Sequence, residues 1–254
     1  MPIDIQAALE GGYEKTVART GLQFAAVFFL LSVLNTLVSP ERETLPLGET
    51  PAGEVAPAGG VGPTAPTLGL PPTVGGLLSL LVTVVTVVVT IAALRTLVAG
   101  ETESVPGEHY TRNLAWAAVN LVIGGVAFAI VVGIGLILLV VPGLFLLVSL
   151  VLWEVFVAVE DENFVEGFRH SWDLTSGHRL RLFGLGVVVA VVALLVSAAL
   201  SIPAFFLPDL LGFLIEEVGS ALLGVFFLAA IAAAYNQLVA MDDQEPGPET
   251  TEFR

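Results

Sequence analysis

Hydrophobic positions in this chain fall in long unbroken blocks, and polar residues are confined to the stretches between them. A helix needs about 20 apolar residues to cross about 30 Å of hydrocarbon. The blocks at 20–38 and 74–99 meet that length. Residues 113–159 are too long for one span, because at 1.5 Å per residue they would form a helix of about 70 Å. They must fold back. Val141-Pro142-Gly143 is one place for the reversal, since proline ends a helix and glycine accepts a turn; Gly133-Ile134-Gly135, with Pro142 as a kink, is the other. The first is adopted and places helices near 113–140 and 144–160. A fifth block, 179–202, stops at Pro203, and a sixth covers 218–240. The pattern predicts an all-α polytopic membrane protein, with six transmembrane helices in a single domain over residues 1–240.

Shorter amphiphilic stretches flank the blocks. ENFVEGFRHSWDLTSGHRLRLF, residues 162–183, is the most polar and basic part of the chain. Asn163 followed by Glu166 is a capping box. A helix over 164–176 would align Phe164, Val165, Phe168, Trp172 and Thr175 on one side, with Glu166, Arg169, His170 and Asp173 opposite. Gly177 suits the position just past its end. Too short and too charged to span, it is expected to lie in the membrane interface, anchored by Phe164, Phe168 and Trp172. Residues 5–17 and 209–217 are predicted as further interfacial helices. Residues 39–73, rich in Pro, Gly, Glu and Thr, are expected to form a disordered outer loop, and 241–254 an acidic disordered tail.

Composition agrees. The 254 residues are 56% hydrophobic and only 13% charged, with mean hydropathy +0.91, against about 25% charged residues in a soluble domain. The absence of cysteine excludes disulfides and thiolate sites. The first fourteen residues carry Asp4, Glu10 and Glu14 but no cation, unlike a cleavable signal peptide, so the first span is expected to act as an uncleaved insertion signal. The net charge is −15, and Lys15 is the only lysine. This acidic, Arg-over-Lys usage resembles that of salt-loving archaea, and without a basic face to neutralise phosphates it argues against nucleic acid as a partner. With both termini in the cytoplasm, inner segments hold Lys15, Arg19, Arg95, Arg112, Arg169, Arg179, Arg181 and Arg254, and the outer side only Arg42. That distribution follows the positive-inside rule and predicts a multi-pass protein of the cell membrane.

Few residues offer chemistry. Arg169, His170, His178, Arg179 and Arg181 form a candidate site for anionic lipid headgroups, where each cation near an anionic surface contributes about 1 kcal/mol; their other role is to fix topology. His109, His170 and His178 lack metal-ligand spacing, so no metal or cofactor is expected. Glu154 stands out: six residues inside Glu160, it lies about 9 Å along its helix, where a carboxylate is costly and often functional. It would pair with Arg95, be protonated, or couple ion movement. Gly125-xxx-Ala129-xxx-Gly133 and Ala193-xxx-Ser197-xxx-Ser201 set small residues on one helix face, suited to close packing in lipid. No phosphate loop, Ser-His-Asp arrangement or zinc-protease motif is present.

The segments ALEGGYEKTVARTGLQFAAVFFLLSVL, LVVPGLFL, VAVEDENFVEGFRHSWDLTSGHRLRLF and AAAYNQLVA resemble the six-helix membrane domain attached to some glycerophosphoryl diester phosphodiesterases, and its uncharacterised bacterial and archaeal relatives. The residues that carry the resemblance are Pro142 and Gly143, Glu160, Ser171, Leu174, Thr175, Gly177, His178 and Tyr235. Many relatives have more cations where this chain has Glu166, His170 and Asp173. These 254 residues leave no stretch for the catalytic barrel, which needs about 250 of its own, so the resemblance implies no diesterase activity and carries over no catalytic residue. The resulting expectation is a non-enzymatic lipid-engaging or scaffold module, with membrane lipids and a further membrane protein as partners. A small transporter or channel using Glu154 is the alternative, and a lipid-acting enzyme ranks last.

Overall fold

The computed structural model describes residues 3–39 and 66–242, and among these it contains helices and no strand. The elements are α1 (Ile5–Val17), α2 (Arg19–Val38), α3 (Pro72–Ala99), a 3-10 turn (Gly107–Tyr110), α4 (Leu114–Leu138), α5 (Val140–Leu150), α6 (Trp153–Val159), α7 (Phe164–Leu174), α8 (Arg179–Phe205) and α9 (Asp209–Asp242). Among the described residues, α2, α3, α4, the pair α5–α6, α8 and α9 are the six helices long and apolar enough to cross a membrane. Their faces expose Leu, Val and Ile along whole helices, such as Val119, Val126, Ile130 and Ile134 of α4. In water such stripes would be an aggregation hazard; in lipid they contact solvent of matching polarity.

Two compact units make up the chain. Among the described residues, one contains 3–24, 87–191 and 224–242; the other contains 25–39, 66–86 and 192–223. The first holds the larger buried core, formed by Ile91, Leu94 and Leu97 of α3, Val155 and Val157 of α6, and Val225 and Leu238 of α9. There α1, capped by Asp4 accepting from the Ala7 N–H at 3.1 Å, packs Gly12 against the α9 backbone at Ala230. In the second unit the Ser79 hydroxyl donates to Asn35 Oδ1 at 2.6 Å, and Leu200 fills the space beside Gly219.

The chain between α4 and α5 reverses at Leu139, whose φ of −156° and ψ of 131° are extended. Neither anticipated turn is the one used. Pro142 sits inside the first turn of α5, where its missing N–H has no intrahelical partner to lose. The glycines act as a contact: a Cβ on Gly135 would stand 2.9 Å from the Gly143 Cα, and one on Gly143 would meet Leu136. The packing face of α4 therefore carries Gly124 and Gly135. Gly125 and Gly133 of the anticipated small-residue stripe have nothing within 4 Å, and Ser197 and Ser201 are exposed.

Other boundaries also differ. The 144–160 span is broken at Val151–Leu152 into α5 and α6. α8 continues through Pro203 to Phe205, since a proline in a final turn leaves few further bonds to disrupt. Residues 209–217 are the opening turns of α9 and not a separate helix. The expected interfacial helices at 5–17 and 164–176 correspond to α1 and α7. Of the loop and tail expected to be disordered, residues 40–65 and 243–254 lie outside the described residues.

Gly143→Leu should splay the α4–α5 hairpin and destabilise the protein by about 1–3 kcal/mol, the usual cost of overpacking. Gly133→Leu, aimed at open space, should stay within about 0.5 kcal/mol of the parent. Thermal unfolding in one detergent compares the two.

Candidate functional site

Arg95 stands about one turn before the end of the apolar α3 and is only 3% exposed. Its guanidinium makes four bonds: Nε to the Ala158 carbonyl at 2.6 Å, Nη1 to the carbonyls of His109 at 3.2 Å and Arg112 at 2.7 Å, and Nη2 to Asp161 Oδ1 at 2.8 Å. Arg112 reaches the other Asp161 oxygen at 3.0 Å and donates to the Val159 carbonyl at 2.6 Å. Two cations thus cap the last carbonyls of α6, which have no intrahelical donors and form the negative end of its dipole. Asn113 and Asp161 are the non-glycine residues with positive φ, at 43° and 59°, among those described. Asn113 also donates to Asp161 at 3.4 Å, so this network holds together the two left-handed residues it strains.

The pairing of Glu154 with Arg95, one of the three roles open to that carboxylate, is not observed. Arg95 reaches past the end of α6 to Asp161, and Glu154, half-buried in the first turn of α6, has no hydrogen-bond or ion-pair partner among the described residues. His109 accompanies the network, with Thr96 Oγ1 3.1 Å from its Nδ1. Burial pushes the His109 pKa below its ordinary value of 6.5, against a smaller opposing effect of Glu108. On the opposite flank Lys15 donates to the Leu97 carbonyl at 2.7 Å and caps α3; burial lowers its pKa.

α7 is held by small residues. Its capping box forms as anticipated, with Asn163 Oδ1 accepting from the Val165 and Glu166 amides and Glu166 reaching back to the Asn163 amide. Asn120 of α4 accepts from the Phe164 amide at 3.2 Å. Gly167 lies against the Trp153 carbonyl and Val157. Ser171 Oγ accepts from the Leu152 amide at 3.2 Å and donates to the Ser149 carbonyl at 3.0 Å, and Thr175 Oγ1 donates to the same carbonyl at 3.2 Å. These hydroxyls satisfy the backbone groups freed by the α5–α6 break. The buried stripe is therefore Gly167, Ser171 and Thr175. Phe164 and Phe168 are half-buried, with Phe168 edge-on to Trp153 at 5.2 Å; Trp172 is exposed.

The five candidate headgroup residues do not gather at one point. His170 Nδ1 is 2.6 Å from Glu162, and His178 Nδ1 is 3.2 Å from the Ser176 carbonyl. Both histidines line an open cavity of about 650 Å³ beside the end of α9, together with Phe156, Asp173, Leu238 and Asp242. Arg179 lies between two rings, 4.3 Å from the centroid of Trp172 and 4.7 Å from that of Phe145. Arg181 donates to the Ile3 carbonyl at 3.0 Å. Arg169 is exposed, with no bonded partner among the described residues. Among those residues no group of three or more His, Asp or Glu side chains is placed to hold a metal ion.

Residues scattered in sequence meet here. The Tyr235 hydroxyl of α9 donates to Glu160 at 2.8 Å, and its ring stands edge-on to Phe156 at 5.5 Å. Ser171 and Thr175 stitch the helix break, and Gly177 turns the chain out of α7 at φ +78°. These contacts position helices.

Fold and site together define an all-helical integral membrane protein. The chain belongs to the family described as "Domain of unknown function (DUF7847)", whose model matches residues 3–238. Neither the curated proteins nor the solved structures give a match.

Arg95→Met should lower stability by about 3 kcal/mol by leaving Asp161 without its buried cation. Thermal unfolding in detergent measures this loss, and Asp161→Asn should lose less. A histidine with a lowered folded pKa binds fewer protons folded than unfolded, so its contribution is complete above the unfolded value and declines as pH falls through about 6.5. Between pH 7 and 5, His109→Gln should therefore lose less unfolding temperature than the parent.

Proposed function

We propose that this chain is a non-enzymatic membrane module of the cell membrane whose α7 side faces the cytoplasm and engages anionic lipid headgroups. The observation that carries this reading is the construction of α7. Its small-residue face is fastened to α5 and α6, which leaves Glu166, Arg169, His170 and Asp173 turned outward. Trp172 and Arg179 flank it as an aromatic–cation pair, the arrangement expected where apolar and charged groups share an interface. Arg169 is the side chain most available to a phosphate. The excess of cations on this side of the chain supports the cytoplasmic orientation. The resemblance to the membrane domain of glycerophosphoryl diester phosphodiesterases points the same way, towards a module that serves a partner protein.

Thermal unfolding of the purified protein, titrated with anionic and with zwitterionic lipid, tests the reading. The anionic lipid should stabilise the parent more, and Arg169→Gln should lose about 1 kcal/mol of that difference. Equal selectivity in parent and variant would overturn the headgroup role.

One observation favours a second reading, in which the chain is a small transporter. Glu154 directly follows the break between α5 and α6 and has no bonded partner among the described residues; interrupted helices form coupling sites in transporters. The cavity beside α7 is not lined by Glu154. Glu154→Cys in this cysteine-free background should react with a polar thiol reagent if water reaches the site, and absence of reaction removes this reading.

A further inference from the structure

The turn between α4 and α5 has the wrong chemistry for the far surface of a bilayer. From Leu121 to Val148 there is no polar side chain. The turn itself is uncovered: Ile137 is 86% exposed, Leu138 73%, Leu139 67%, Val140 62% and Val141 77%. A hairpin that crossed would leave these five residues among headgroups and water. The other end of the same hairpin is polar, with Arg112 and Asn113 before α4 and Glu160 to Asn163 after α6.

Arg179 provides a second, independent measure. Its guanidinium packs on Phe145, six residues beyond Leu139 and so about 9 Å of helix from the turn. α7 runs beside the same arm, with Gly167 at Trp153 and Val157, Ser171 at Ser149 and Leu152, and Trp172 edge-on to Phe145 at 5.5 Å. Glu166, Arg169, His170 and Asp173 are exposed along it. If α5–α6 stood upright across about 30 Å of hydrocarbon, α7 would carry these groups and Arg179 deep into it, where a charge is strongly disfavoured. With α6 and α7 lying near the interface, the charges remain in water, and only the apolar end of the α4–α5 hairpin enters the oil.

We infer that α4 and α5 form a hairpin inserted in one leaflet: it enters from the side that holds α7, ends among acyl chains at Leu139, and returns without crossing. At 25 residues α4 is about 37 Å long, so the hairpin lies strongly tilted where it ends within one leaflet. Four helices then cross completely, α2, α3, α8 and α9. Both ends of the hairpin lie on one side whether or not it crosses, so the distribution of cations is the same in either case. This inference rests on the membrane character of the fold and not on headgroup selectivity.

The absence of cysteine makes the test direct. Single cysteines at Leu139, Leu68 and Arg169 are introduced into the full chain, reconstituted in vesicles, and exposed to a membrane-impermeant maleimide on each side in turn. Leu68→Cys should label from one side, Arg169→Cys from the other, and Leu139→Cys from neither. A bimane attached at 139 in detergent before reconstitution should be quenched more by lipids brominated in mid-chain than by lipids brominated near the headgroup. Labelling of Leu139→Cys from the side that labels Leu68→Cys would show a crossing hairpin and overturn the inference; labelling from the Arg169 side would show a tip in water and also overturn it. Ile137→Cys and Val141→Cys, equally uncovered, give the same reading if the variant at 139 does not fold.

Discussion

One guanidinium holds much of the larger unit in place. Arg95 ends an apolar helix in which a cation is unfavourable unless every donor is satisfied. Its partners come from three separate places: the segment before α4, the end of α6, and the loop leading into α7. The polar ends of the hairpin are gathered around one buried charge, and α7 leaves that point in a fixed direction. Arg112 adds a second contact to the same carboxylate while remaining half exposed, so it contributes less than the buried pair.

Much of the architecture was legible because membrane solvent imposes simple rules. Long apolar blocks must be helices, since backbone groups find no water in hydrocarbon; six such helices are present. The capping box at Asn163 was readable because its two partners are three residues apart. Contacts joining distant residues were not. Nothing near Asp161 in sequence identifies it as the partner of Arg95, and Glu154 was the more conspicuous carboxylate because it interrupts an apolar run. Ser171 was visible only as a member of a family-like pattern, and Thr175 only there and as one position on a helix side; their function follows from a helix break that periodicity cannot reveal. The reversal at Leu139 escaped notice because proline, usually a signal of chain breaks, is equally at home in the first turn of a helix.

The arrangement of the candidate site was not legible in the sequence. Composition marks the stretch around α7 as the basic part of the chain, but it could not show that Arg179 would be enclosed by Phe145 and Trp172, or Arg181 tied to the backbone at Ile3. Those contacts leave Arg169 turned outward while its neighbours brace the fold. The pairing of Glu160 with Tyr235 joins residues 75 positions apart and ties the end of α9 to the loop before α7.

The stitch between α7 and the α5–α6 break has a consequence for biosynthesis. Leu152 must give its amide hydrogen to Ser171, nineteen positions later in the chain. Until Ser171 has also left the ribosome, the amide has no such acceptor, although the arm that contains it is apolar enough to partition into lipid. The break between α5 and α6 is therefore satisfied only once α7 has followed it into place.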